Sequence, residues 1–141
     1  MIDKDSRPSG RHLAKTKEYV EVLLPALRYL ARRHGYALAV HGSLERDIDL
    51  IAVPWQEYAQ DAVSLVSAMR RACEAITGFA AWPNEWTEGS ESPKPIGAAD
   101  NPNQKPHGRM AWSILLGGGP YIDISVMPRI TPPPKDNDGA P

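Results

Sequence analysis

Three carboxylates carry the most specific chemical signal in this 141-residue chain. Asp47 and Asp49 stand two positions apart at the head of an apolar run, Ile48 to Val53, and Asp123 lies between Ile122 and Ile124 in a later one. Side chains at i and i+2 of a strand share a face, so Asp47 and Asp49 point the same way while Ile48 and Leu50 enter the opposite layer. Like charges held that close are costly, and a divalent cation is the usual reason a fold keeps both ionised. Mg2+, or Mn2+ in its place, suits the pair, because it takes one or two carboxylates and fills its shell with water and phosphate oxygens. The bland alternative, a turn aspartate and a strand-edge aspartate in plain water, stays open.

Gly42 and Ser43 precede this run, in a polar turn between two apolar stretches. A residue without Cβ lets phosphate approach backbone amides, and a Ser hydroxyl can donate to it. Arg46, still within the turn, offers a guanidinium to the same anion. Farther along, Lys105, His107 and Arg109 form a cationic cluster before the Asp123 hairpin, either a phosphate-binding edge or a solvated loop. His41 reads as a phosphate contact or a hydrogen-bonded strand-end histidine.

Taken together, a strand ending in Gly42 and Ser43, then Asp47 and Asp49 opening a second strand, then Asp123 alone between apolar residues, resembles the nucleotidyltransferase superfamily of polymerase beta-like folds. The resemblance covers roughly residues 15–127 and is specific at those five positions. It implies that Gly42 and Ser43 hold the phosphates of a nucleoside triphosphate, and that Asp47, Asp49 and Asp123 hold two Mg2+ ions for nucleotidyl transfer to a hydroxyl acceptor. This chain departs from the pattern by placing only Leu44, Glu45 and Arg46 where the family has a longer turn, often a short helix. That truncation weakens the helix-start contribution to phosphate binding and shifts weight onto Arg46, with Lys105 or Arg109. It also favours the alternative of a binding module that kept the fold and lost turnover; a metal-dependent nuclease is a further alternative.

The elements that must position these residues are legible from periodicity. Val20, Leu23, Leu24, Leu27, Leu30 and Ala31 recur at helical spacing and predict a helix over residues 14–34, kinked or split near Leu24 because of Pro25. Tyr58, Ala62, Leu65, Val66, Met69, Cys73 and Ile76 predict a second over 57–77, with Cys73 a buried thiol on its apolar stripe. Strands are expected at 36–41, 48–53, 110–116 and 121–127, the last two forming a hairpin across the glycines at 117–119. Residues 79–108 lack a pattern apart from a possible strand at 79–82, and Trp82 and Trp86 there either stack on a base or pin the loop to the core. The expected architecture is α/β (α+β), a mixed or mainly antiparallel sheet with both helices on one face.

Length and composition set the frame: a flexible arm at 1–13, one domain at 14–127 and a disordered Pro-rich tail at 128–141. With 42% hydrophobic and 23% charged residues the chain reads as soluble and globular. A net charge of -1 gives no global attraction to nucleic acid or membrane, so any polyanion contact rests on a local patch. A single cysteine excludes an internal disulfide and, with no signal peptide or spanning segment apparent, a cytoplasmic location is expected. A homodimer would be one way to complete a substrate cleft in so small a domain.

Overall fold

A computed structural model describes residues 10–83 and 102–129. The first helix, α1 (Gly10–Arg33), runs unbroken through Pro25, whose ring faces solvent, so the expected split does not occur. The ring costs one backbone bond on the wet side of the helix, and burial of the opposite stripe offsets it. That stripe is Thr16, Tyr19, Leu23, Leu27 and Ala31; Thr16 satisfies its buried hydroxyl by donating to the His12 carbonyl at 2.9 Å. Two strands follow, β1 (Tyr36–His41) and β2 (Ile48–Pro54).

The second helix, α2 (Ala62–Thr77), begins five residues later than its apolar periodicity suggests. Asp61 ends the loop as N-cap, its carboxylate accepting from the Ser64 amide at 2.8 Å. This bond depresses the Asp61 pKa below 3.8. Tyr58, assigned to the helical stripe by spacing, is 70% exposed in the loop before it. Gly78 closes the helix in a left-handed conformation. Beyond it come β3 (Ala80–Ala81), β4 (Asn103–Gln104), β5 (Met110–Leu116) and β6 (Tyr121–Val126), with a short 3-10 turn at Pro106–Gly108. Trp82 is buried in the core, whereas Trp86 lies outside the described residues.

The strands form a mixed sheet in the order β1-β2-β6-β5-β3, with β4 also paired to β5. Among the described strands only β2 and β6 run parallel; the other pairs are antiparallel. Both helices cover one face: α1 contacts β1 and β2, and α2 contacts β3 and β5. Under them lie Leu50, Ala52, Trp112, Ile114, Ile122, Ile124 and Val126, at most 1% exposed. Each such large side chain contributes ~1.5–3 kcal/mol on burial. Chain alternation then sends Asp47, Asp49, Ile51, Ala111, Ser113, Tyr121, Asp123 and Ser125 to the face without helices.

Candidate metal centre

The open face carries a polar row. Ser113 on β5 pairs with Asp123 on β6, Asp123 with Asp49 on β2, and Asp49 with His41 on β1, so four strands present these residues side by side. Asp47 stands just before β2, beside the start of β6. Carboxylate oxygens of Asp47, Asp49 and Asp123 all lie within 4.8 Å of one another, and all three residues are half-buried. The parallel β2/β6 pair causes this convergence, because it puts Asp49 and Asp123 directly opposite each other on one face.

Two hydroxyls hold the cluster in place. Ser113 Oγ donates to Asp123 Oδ1 at 2.6 Å. The Tyr121 hydroxyl is hydrogen-bonded to Asp47; burial first, then this bond and the three neighbouring carboxylates, push its pKa up to about 12. Tyr121 therefore remains a donor across the physiological range. The Asp49 carboxyl lies above its ordinary 3.8, chiefly because burial penalises its charge, then because Asp47 and Asp123 repel it; the nearby His41 offsets part of this.

Such a donor set fits a hard divalent cation. All candidate ligand atoms are carboxylate oxygens, and two Mg–O bonds of about 2.0–2.1 Å span up to ~4.2 Å, so little closing is required. Gly42 supplies the room. It has φ +82, and a Cβ built there would lie 2.9 Å from Asp49 Oδ2. The missing side chain thus makes space for the Asp49 carboxylate itself, a second reason for glycine at this position.

The turn between Gly42 and Asp47 contains no helix. Leu44 takes a left-handed φ of 61, held there by a side chain packed against the core. Ser43 Oγ accepts from the Glu45 amide at 3.3 Å, which still leaves its proton to donate. His12 Nε2 donates to the Arg46 carbonyl at 2.6 Å, and the His12 ring also lies against Gly119. Tyr19 adds a 2.6 Å bond to the Gly117 carbonyl. The first turns of α1 therefore brace both loops at the carboxylate end of the sheet. His12 thus belongs to α1 and not to the flexible arm expected over residues 1–13; the signal for it is that positions 12, 16, 19, 23 and 27 continue one helical stripe.

The second cationic loop divides. Arg109 reaches along the open face and donates to Ser125 Oγ at 3.2 Å, one row from Asp123. Lys105 and His107 sit at the opposite end of the sheet, exposed in the turn between β4 and β5. From register, Lys105 is about four residues, ~13 Å, along the strand from the row containing Asp123, and it is farther out across β5. The expectation that Lys105 lines the carboxylate cleft is therefore corrected: the turn at residues 117–120, not the one at 105–109, faces the cluster. No protein-family model matches the chain, and no curated protein or solved structure is significantly similar to it.

Proposed function

We propose that this chain is a divalent-metal-dependent nucleotidyltransferase-like protein, moving a nucleotidyl group from a nucleoside triphosphate to a hydroxyl acceptor. The observation that carries the reading is the meeting of Asp47, Asp49 and Asp123 within 4.8 Å, the last two opposite each other on in-register strands. Bound Mg2+ or Mn2+ would neutralise triphosphate charge and lower the pKa of an acceptor hydroxyl. The chain's own contribution is positional. Asp47, Asp49 and Asp123 hold the cation, with Ser113 and Tyr121 fixing two of those carboxylates. Gly42 and Ser43 present the strand-end turn to phosphate, and Arg46 and Arg109 supply positive charge from that turn and from the open face.

A second reading, a nucleotide- or partner-binding module without turnover, is favoured by two observations. The Gly42 turn lacks a helix start, and Lys105 is remote from the carboxylates. Incubation with Mn2+ and labelled nucleoside triphosphates separates the two: transfer supports the first reading, and metal-dependent binding without product supports the second. Under either, Arg46→Ala weakens nucleotide binding about tenfold or more, equivalent to ~1.4 kcal/mol, and Asp49→Asn removes its metal dependence. Equal binding by wild type and both variants, or none, would remove the case for function while leaving the fold.

A further inference from the structure

A cleft of about 210 Å³ opens between α1 and β1, at the far end of β1 from the carboxylates. Arg28, Arg32, Ala37, Leu38 and Trp55 line it. Three features point to a ligand. Trp55 is 63% exposed, an unusual position for an indole in a domain that buries Trp82 and Trp112. Arg28 and Arg32 stand one helical turn apart on the same side of α1, and neither makes an ion pair or side-chain hydrogen bond among the described residues. Nor does either guanidinium lie over the Trp55 ring, whereas Arg33 is already spent on Tyr29, 5.8 Å from its centroid. An exposed indole beside two guanidiniums that have no partner among the described residues suits a planar ring carrying phosphate. At about 210 Å³ the cleft is smaller than the ~300–1,000 Å³ that encloses a whole small-molecule ligand, a size that suits part of a longer molecule.

We propose that this cleft binds single-stranded nucleic acid, one base stacking on Trp55 while Arg28 and Arg32 contact consecutive phosphates. The C-terminal end of α1 carries about half a negative charge, which opposes phosphate, but two full positive charges outweigh it. β1 is the edge strand of the sheet and leads from Ala37 and Leu38 to His41, beside Asp49. That path is roughly 10–13 Å. A strand held in the cleft can follow this edge to the carboxylates, so the acceptor is a polynucleotide end; this last step alone rests on the transfer reading.

The test is fluorescence anisotropy of a short labelled oligouridylate against the full chain, across a salt series, with circular dichroism confirming that each variant folds. Two phosphate contacts give a slope of log K on log salt of about -1.4, falling to about -0.7 in Arg32→Gln. Trp55→Ala weakens binding roughly 5- to 150-fold, and Trp55→Phe recovers most of the loss. Oligonucleotide binding is the same in chelator as in Mg2+, which separates this site from the metal centre; a Mg2+ requirement would overturn its independence. Absent binding, unchanged binding in Trp55→Ala and Arg32→Gln, or equal competition by uridine monophosphate at matched nucleotide concentration would each overturn the proposal.

Discussion

Along β2, the residue before it and β6, two sets of side chains alternate: Ile48, Leu50, Ile122 and Ile124 on one side, Asp47, Asp49, Tyr121 and Asp123 on the other. The first set is at most 2% exposed beneath the helices. The second gathers three carboxylates on the open face. The same backbone and the same register serve both faces, so nothing in strand geometry distinguishes them; only burial and charge do. The helix-covered face gains hydrocarbon burial, and the open face bears mutual repulsion that the rest of the fold must carry. This contrast sets different expectations for substitutions separated by a single position in the chain.

The largest effect belongs to the covered face. Trp112 is 1% exposed at the middle of β5, next to the serine that holds Asp123. Trp112→Ala costs about 3–5 kcal/mol in chemical denaturation, from lost transfer energy and the cavity left behind. A loss under 1 kcal/mol would mean that the sheet is not the centre of the core. An intermediate effect belongs to the turn joining the faces. Gly42→Ala sets a Cβ against the Asp49 carboxylate at a backbone angle that L-residues avoid, and costs about 1–3 kcal/mol. On the metal-site proposal it also displaces Asp49 and should weaken Mg2+ binding in calorimetry, an effect absent if Gly42 serves the turn alone.

The alternation that separates the faces was legible in the sequence, because a period of two survives any choice of strand partner. Four strands, the hairpin and the paired aspartates followed from it. The direction of pairing did not: an antiparallel β2/β6 pair satisfies the same apolar pattern, and the parallel choice rests on contacts between distant segments. The start of α2 was misplaced for a local reason, since Tyr58 falls at helical spacing by coincidence while Asp61 holds the capping bond. Chain direction likewise could not say which end of β5 meets the carboxylates, so Lys105 was grouped with a cluster it does not reach. β4, two polar residues long, has no pattern to read.

The smallest predicted effect has the opposite sign, and it tests the open face most directly. Asp49 has its folded-state pKa raised above 3.8, first by burial and then by Asp47 and Asp123. A carboxyl shifted in this direction holds a proton in the folded chain that the unfolded chain has already released, so stability falls as pH rises from 3.8 through the folded value, and the deficit persists above it. Asn cannot ionise. Asp49→Asn should therefore melt at a higher temperature than wild type near neutral pH in chelator, and the difference should close once the solution is more acidic than 3.8. On the metal-site proposal divalent cation should reverse the order, because only the wild-type cluster would gain the binding energy that a folded-state ligand confers on melting temperature. Thermal melts of both proteins in chelator and in Mg2+, repeated across pH, give the comparison. If the variant is the less stable protein at neutral pH in chelator, Asp49 is held by favourable contacts rather than strained by its neighbours. If Mg2+ raises both melting temperatures equally, its binding does not depend on the Asp49 carboxylate.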